Sequence, residues 1–236
     1  MSTTVIILSY KRPGNLRKIV DSLMAGPVKP AEVIVFNNDP ETKLGGKFRG
    51  ATVINAGRNM FCLTKHAIGL LAETEHCLFV DDDLFLSPGT LSNFEWWARK
   101  YPESVLGFFG VRLNRGSGRP YTEGTHLNKP AQTMEPTVVD VVVGRAHFCH
   151  VRKLAQAFEF RSRVPEFWRR TFLTRESEDI ILSLANLYNG HRNFIMPIGT
   201  GAGFTDLPEG AHSLHKRGKH YGQRDLTVKA LMGIGG

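Results

Sequence analysis

Short apolar runs that each end in polar residues recur along the first half of the chain. Such runs are typical of strands that are buried on both faces, as in a parallel sheet. The predicted strands are residues 4–8, 31–36, 52–54 and 76–80. After the first strand, apolar residues recur at helical spacing from Leu16 to Leu23, and we expect Asn15 to be the N-cap. A strand, a helix and a strand of this length predict a βαβ unit with parallel strands.

The second half combines further apolar runs with one long polar segment. Residues 105–111 and 138–143 are predicted as strands, residues 91–99 as a helix, and a second helix is predicted to have Glu178 and Asp179 in its first turn and to extend to Tyr188. Residues 112–136 are polar, rich in Gly and Pro, and without periodicity. A loop of this length in a compact domain is usually functional or mobile, so we expect a mobile lid.

Three of the predicted strands end in polar residues that could bind a ligand. These endings are Ser9-Tyr10, Asn37-Asn38-Asp39 and Asp81-Asp82-Asp83. In a parallel sheet all three lie on one edge, and in open α/β sheets ligands bind at the carboxyl ends of the strands. Their agreement is stronger evidence for a site than any one of the motifs.

Two acidic motifs are candidates for chemistry. The carboxylates of Asp81, Asp82 and Asp83 repel one another unless a cation shares the site, and oxygen ligands favour Mg²⁺ or Mn²⁺ over zinc. A solvated acidic turn is the alternative. The pair Glu178-Asp179 falls in the first turn of a predicted helix, where the helix dipole stabilises acids whether or not they take part in catalysis.

Composition adds a strongly basic charge to this picture. The 236 residues, enough for one domain, include 30 Lys and Arg against 22 Asp and Glu, so the formal charge at pH 7 is +8. This balance favours a polyanionic partner. No segment approaches the roughly 20 apolar residues that span a bilayer, the N-terminus lacks the pattern of a secretory signal, and the three cysteines lie in apolar contexts. We therefore expect a cytoplasmic protein without membrane contact.

The layout resembles the GT-A-fold glycosyltransferases that use nucleotide diphosphate sugars, especially those of family 2. The elements that carry the resemblance, in the expected order, are the opening strand and turn from Val5 to Pro13, a shortened Asn-x-Gly segment at 55–59, a DxD motif at Val80-Asp81-Asp82-Asp83 and an ED motif at Glu178-Asp179. The resemblance implies a Rossmann-like α/β fold, with a mostly parallel central sheet flanked by helices. It also implies one domain, 1–236, with a nucleotide-sugar-binding half at 1–87 and a smaller acceptor-binding half at 88–236.

The resemblance also implies roles for individual residues. Asp83 and Asp81 would bind Mn²⁺ or Mg²⁺ at the pyrophosphate of the donor, and His212 or His215 could complete the metal site. Asp179, beside Glu178, would accept the proton of the acceptor hydroxyl, which gives inversion. The other candidates for binding the nucleotide sugar are Ser9, Tyr10, Arg12, Asn38, Asp39, Arg58, Asp82, Lys216 and Arg217. Arg58 or Arg175 could instead hold one of the acids in a structural ion pair.

The donor is expected to be a UDP-sugar, by analogy with the family. Among relatives of this fold are bacteriophage enzymes that glycosylate hydroxymethylated pyrimidines in DNA, and the basic charge suits that acceptor. A polysaccharide, glycoprotein or small-molecule acceptor is the alternative. A non-catalytic module that binds a nucleotide sugar or nucleic acid is the alternative from another class, but such a module would not need the second acid pair.

Overall fold

The strands and helices come from a computed structural model that describes residues 1–45, 50–127, 135–166, 176–208 and 219–233. The strands are Thr3–Ser9 (β1), Glu32–Asn37 (β2), Thr52–Asn55 (β3), His76–Asp81 (β4), Leu84–Leu86 (β5), Val105–Gly107 (β6), Gly110–Arg112 (β7), Thr125–Leu127 (β8), Thr137–Val139 (β9), Val141–Val142 (β10), Ala146–His150 (β11), Asn193–Ile195 (β12) and Phe204–Asp206 (β13). The helices are Pro13–Ala25 (α1), Leu63–Gly69 (α2), Thr90–Lys100 (α3), Val151–Ser162 (α4), Glu178–Tyr188 (α5) and His220–Met232 (α6).

One eight-stranded sheet organises the molecule, with the strand order β3-β2-β1-β4-β11-β6-β12-β9. Strand β1 pairs in parallel with β2 and with β4, and β2 pairs in parallel with β3. Strands β11 and β9 run antiparallel to their neighbours. The predicted α/β class with a mostly parallel central sheet is therefore confirmed.

Helices cover both faces of this sheet, which explains why β1 and β4 are apolar on both sides. Ile6 and Phe79 belong to a buried cluster on one face with residues of α4 and α5. Ile7 and Val80, the next residues along each strand, belong to the cluster on the other face with residues of α1 and α3. Successive side chains of a strand point to opposite faces, so neither strand has a solvent-facing side to carry polar residues.

The predicted start of α1 is wrong. The helix begins at Pro13, whose missing N–H costs nothing at the first helical position. Asn15 is not the N-cap but lies buried in the first turn, and its amide donates to the carbonyl oxygens of Asp82 at 2.8 Å and Pro208 at 3.0 Å. Asn15 thus ties α1 to the acidic turn after β4.

Two predicted strands are each divided between two sheets. The run 105–111 forms β6 in the main sheet and then β7, and the run 138–143 forms β9 in the main sheet and then β10. Strands β10, β7 and β8 make a separate three-stranded sheet. Phe108 and Phe109, where the chain crosses from β6 to β7, are both buried, so the apolar run continues across the break.

The described part of the predicted lid is held to the protein at Tyr121 and Thr122. Their backbone N–H groups donate to Oδ1 of Asp225 on α6, at 2.8 and 2.9 Å. Residues 128–134 lie outside the described residues. The mobility of the segment stays a prediction. Among the described helices, none has the length and apolar character needed to cross a bilayer.

Candidate active site

The polar ends of β1, β2 and β4 meet at one edge of the sheet, as their parallel pairing requires. The N–H of Tyr10 donates to Oδ2 of Asp82 at 2.7 Å, and the N–H of Asn38 donates to the carbonyl oxygen of Ser9 at 2.8 Å. The structure therefore brings together the candidates that the sequence placed at three separate strand ends.

The side chain of Asp82 is buried, and both of its oxygens accept hydrogen bonds. Its side chain is 3% exposed, and its two oxygens accept from Arg12 and from the N–H of Tyr10. Burial raises the pKa of Asp82 to about 6, although Arg12 acts in the opposite direction. Asp82 therefore organises the turn after β1 and is not open to solvent as a ligand.

Asp83 lies between two arginines and keeps one oxygen without a hydrogen bond. Arg12 is 3.1 Å from Oδ2 of Asp83, and Arg145 is 3.5 Å from Oδ1. Arg145 makes its shorter contact, 2.7 Å, with Asp206 on β13. Within the described residues, Oδ1 of Asp83 is buried and has no hydrogen-bond partner. A buried carboxylate oxygen in this condition is suited to binding a cation.

Asp81 is held by a lysine that the sequence analysis did not single out. Nζ of Lys65, on α2, is 2.9 Å from Oδ1 of Asp81 and 2.9 Å from Oε1 of Glu178. It also donates to the carbonyl oxygen of Gly144 at 2.9 Å. The Lys65 side chain is 1% exposed, so one buried ammonium group joins the two acidic motifs.

Asp179 is held by a second buried cation that the sequence analysis also missed. Its Oδ2 accepts from Arg224 on α6 at 2.6 Å and from the N–H of Gly144 at 3.0 Å. Its Oδ1 accepts from the N–H of Ile180 at 2.9 Å. Burial alone would raise the pKa of Asp179, but the charges of Arg224 and Lys65 and the hydrogen bonds from Arg224 and Gly144 together lower it below its ordinary value. The carboxylate is therefore ionised, with both oxygens occupied.

The second strand end is organised by side-chain amides. Nδ2 of Asn38 donates to Oδ1 of Asn59 at 2.9 Å, and Oδ1 of Asn38 accepts from the N–H of Met60 at 2.6 Å. Asp39 is buried and accepts from the N–H of Glu41 at 3.2 Å. This network joins the end of β2 to the Asn-x-Gly segment.

Several candidates from the sequence are not brought to the acids by this structure. Arg58 is exposed and directs its Nε to Sδ of Met60 at 3.4 Å, and it makes no ion pair with a described residue. The acids that it was expected to hold are held by Lys65 and Arg224. The candidates Arg175, His212, His215, Lys216 and Arg217 lie outside the described residues.

The residues present fit a divalent ion only in part. Asp81 and Asp83 supply hard oxygen donors beside one another, which suits Mg²⁺ or Mn²⁺. The observation that favours a cation there is Oδ1 of Asp83, which is buried and accepts no hydrogen bond from the described residues, although Arg145 lies 3.5 Å away. In the described ranges no group of three or more His, Cys, Asp and Glu residues is arranged to hold a metal. Such a site therefore needs oxygens from the donor or water to complete it.

The structure is similar to two solved glycosyltransferase structures. The crystal structure of GalNAc-T7 with UDP, GalNAc and Mn²⁺ matches with a TM-score of 0.68 and 9% identity, over 97% of this chain and 48% of that chain. The crystal structure of S. aureus TarS matches with a TM-score of 0.56 and 15% identity, over 88% of this chain and 37% of that chain. No protein-family model and no curated protein matches the sequence. The likeness confirms the predicted GT-A fold, and this chain spans less than half of either matched protein.

Proposed function

We propose that the protein is a divalent-metal-dependent glycosyltransferase that moves a sugar from a nucleotide diphosphate sugar to an acceptor hydroxyl. The observation that carries the proposal is the Asp81-Asp82-Asp83 turn, which lies at the common edge of three parallel strands and leaves Oδ1 of Asp83 buried without a hydrogen bond. The GT-A fold supports the reaction class. UDP and Mn²⁺ are named with GalNAc-T7, and both come to this chain as part of the proposal.

In this proposal the edge of the sheet binds the donor. Asp81 and Asp83 would hold the metal, which would act as a Lewis acid on the pyrophosphate. Arg12 and Arg145 would add positive charge beside the departing phosphate. Asp82 contributes by holding Arg12 and the backbone of Tyr10 in place.

The nucleoside would lie along the ends of β1 and β2. Ser9 and Tyr10 border it on one side, and Asn38 and Asp39 on the other. Asn38 donates to Asn59 and accepts from the N–H of Met60, and these two hydrogen bonds keep this wall in one arrangement. Arg58, Lys216, Arg217 and the metal ligands His212 or His215 stay proposals from the resemblance.

The base for the acceptor hydroxyl is proposed to be Asp179, which makes the reaction inverting. Because both oxygens of Asp179 accept hydrogen bonds, Asp179 must exchange one of them to take the proton. Glu178 is the second candidate, since Lys65 holds only its Oε1 and its Oε2 accepts no hydrogen bond from a described residue. Asp179→Asn and Glu178→Gln distinguish the two, because only loss of the base removes transfer while nucleotide binding persists.

For the acceptor we propose a 5-hydroxymethylated pyrimidine in DNA. The net charge of +8 supports a polyanion. The structure adds that Arg115 and Arg119, which are 57% and 59% exposed, lie in the segment that leads to Tyr121. The ring of Tyr121 lies 4.3 Å from the guanidinium of Arg224, the residue that holds Asp179. Both arginines also pair with acids, Arg115 with Asp140 at 2.7 Å and Arg119 with Asp225 at 3.8 Å, so the net charge of the chain is the main support for a DNA acceptor.

The donor half of the proposal is tested by incubating the protein with Mn²⁺ and a panel of UDP-sugars and measuring UDP release. We expect release with at least one donor, and its loss with EDTA and in Asp83→Ala. Asp21→Ala, at an exposed position on α1, is the matched control and should keep full activity. UDP release that is equal with and without metal would contradict the metal site.

The acceptor half is tested separately. Duplex DNA that contains hydroxymethylcytosine or hydroxymethyluracil is incubated with the same donors, digested to nucleosides and analysed by mass spectrometry. A nucleoside with added hexose mass supports the DNA acceptor. Donor hydrolysis without any modified nucleoside would exclude DNA and favour a glycan, glycoprotein or small-molecule acceptor.

A further inference from the structure

We propose that Lys65 is a positioning residue that couples the donor side of the active site, through Asp81, to the acceptor side, through Glu178. This inference rests on the proposed function, and it assigns a positioning role to a residue that was not among the predicted site residues. The buried ammonium group of Lys65 joins three separate parts of the chain: the end of β4, the first turn of α5 and the turn before β11.

The ammonium group of Lys65 makes two hydrogen bonds and one further ion pair. Nζ donates to Oδ1 of Asp81 and to the carbonyl oxygen of Gly144, each at 2.9 Å, and it lies 2.9 Å from Oε1 of Glu178. Because these contacts are all short, the group cannot shift towards one acid without lengthening its contact to another. The two carboxylates are therefore held within the reach of a single nitrogen atom.

In each of the two carboxylates only one oxygen contacts Lys65, and the other is available to a ligand. Oδ1 of Asp81 accepts a hydrogen bond from Lys65, and Oε1 of Glu178 forms an ion pair with it, whereas Oδ2 of Asp81 and Oε2 of Glu178 accept no hydrogen bond from the described residues. Fixing one oxygen of a carboxylate sets the direction of the other. Lys65 thus orients Asp81 towards the proposed metal and Glu178 towards the proposed acceptor.

The residue after Lys65, His66, ties helix α2 to β11, the strand that follows the Gly144 turn. Nε2 of His66 is 2.8 Å from Nε2 of His147 on β11, and both rings are buried. Burial lowers the pKa of His66 to about 3 and lowers that of His147 as well, so this is a hydrogen bond between neutral rings. Helix α2 is therefore held against β11, which fixes the position of Lys65 relative to Asp81 and Glu178.

Gly144 shows how closely the parts of this junction approach. A Cβ at position 144 would lie 2.9 Å from Oε1 of Glu178 and 3.3 Å from Nζ of Lys65. Any side chain there would displace the groups that Lys65 holds. The backbone of Gly144 contributes on both sides, since its carbonyl oxygen accepts from Lys65 and its N–H donates to Asp179.

The test is a double-mutant cycle with Lys65→Met, Glu178→Gln and the double variant. The hydrolysis of the best UDP-sugar gives kcat, isothermal titration with Mn²⁺ present gives the Kd for UDP, and thermal unfolding gives Tm. We expect Lys65→Met to lower kcat by about 100-fold, the cost of misplacing a catalytic group by near 1 Å, while it still binds UDP. We expect the double variant to be no slower than the slower single variant, because both changes break the same unit.

Lys153→Met is the matched control. The side chain of Lys153 is also 1% exposed, and it pairs with an acid, Glu103, at 2.9 Å. Lys153 lies on α4, which follows the His150 end of β11, and that end pairs with His76, at the opposite end of β4 from Asp81. A purely structural lysine should lower Tm and leave kcat per folded molecule unchanged. We expect that result for Lys153→Met and a fall in kcat for Lys65→Met.

The outcomes separate the inference from the proposed function. If the wild type binds UDP and hydrolyses the donor but Lys65→Met keeps its kcat, the inference is wrong and the proposed function stands. The inference is also wrong if the effects of Lys65→Met and Glu178→Gln multiply, or if Lys65→Met alone abolishes UDP binding. If the wild type neither binds UDP nor hydrolyses any donor, both are wrong. Should Lys65→Met not fold, Gly144→Ala disturbs the same junction, and an unchanged kcat in that variant would overturn the inference.

Discussion

Replacing Arg224 with Met should expose the energetic importance of the buried pair that holds the ED motif. The guanidinium of Arg224 lies 2.6 Å from Oδ2 of Asp179, and the two side chains are only 6% and 3% exposed. Methionine keeps much of the apolar stem but removes the charge. The carboxylate of Asp179 would then stay buried with two backbone N–H groups, those of Gly144 and Ile180, as its remaining hydrogen-bond donors.

The expected loss is large because one partner of a buried ion pair is left behind. Breaking such a pair by removing one charge typically costs about 3–5 kcal/mol. The loss of the Arg224 contact with the ring of Tyr121, at 4.3 Å, adds to this. For a chain of this size, a loss of that magnitude corresponds to a fall in Tm of about 6–20 °C.

The loss should depend on pH, and its direction follows from the pKa of Asp179. In the wild type this pKa is lowered, so the stabilisation is present above the unfolded pKa, about 3.9, and disappears as the pH falls through the folded pKa. Without Arg224, burial dominates and the folded pKa should lie above the unfolded value. Protonation then relieves the buried charge, so the deficit of the variant should be largest near pH 7 and should shrink towards pH 5.

Urea unfolding at pH 7 and at pH 5 measures this deficit directly. Arg17→Met is the control, since Arg17 and Asp21 are 85% and 57% exposed and lie 3.7 Å apart, and an exposed pair contributes about 0–1 kcal/mol. Adding Asp179→Asn to Arg224→Met should recover part of the loss. A cost of Arg224→Met no greater than that of Arg17→Met, or an equal deficit at both pH values, would refute this expectation.

Two further predictions concern packing and the segment near the proposed acceptor side. Gly107→Ala places a Cβ 2.3 Å from Cγ1 of Val142 and should lower the free energy of unfolding, measured in urea, by about 1–3 kcal/mol. Gly14→Ala is the control, since a Cβ there meets nothing within 4 Å, and it should stay within about 0.5 kcal/mol of the wild type. Equal effects of the two substitutions would contradict the close packing at Gly107. Asp225→Ala removes the acceptor for the N–H of Tyr121 and should cost about 1–3 kcal/mol for each buried donor left unpaired. Limited proteolysis should then cut within residues 112–127 faster than in the wild type, and an unchanged rate would contradict the anchoring.

The sequence was most informative where one physical signal dominated. The apolar runs Val5–Leu8 in β1 and Cys77–Val80 in β4 carry no charge because helices cover both faces of the sheet, so the parallel placement of these strands and their polar ends were predicted correctly. Strand β11 was missed, although it lies in the centre of the sheet. Its five residues include His147, Cys149 and His150, and this mixture resembles neither an apolar run nor an alternating strand.

The ion pairs of the site depend on contacts between residues far apart in the chain. Lys65 is 16 residues from Asp81, and Arg224 is 45 residues from Asp179. Local patterns cannot show such pairs, because each residue alone resembles an ordinary surface charge on a helix. The one signal in the sequence is that buried acids need partners, which indicates that cations must exist without indicating which ones.

The central claim is that Asp81 and Asp83 hold a divalent metal together with a nucleotide diphosphate, and Mn²⁺ binding followed by electron paramagnetic resonance tests it most directly. Wild type, Asp83→Ala and the surface control Asp21→Ala are titrated with Mn²⁺ in the presence and absence of UDP. We predict that UDP strengthens Mn²⁺ binding in the wild type and the control, and that Asp83→Ala weakens it by about 10–100-fold or more. Equal Mn²⁺ affinity in Asp83→Ala and the wild type, with UDP present, would contradict the claim.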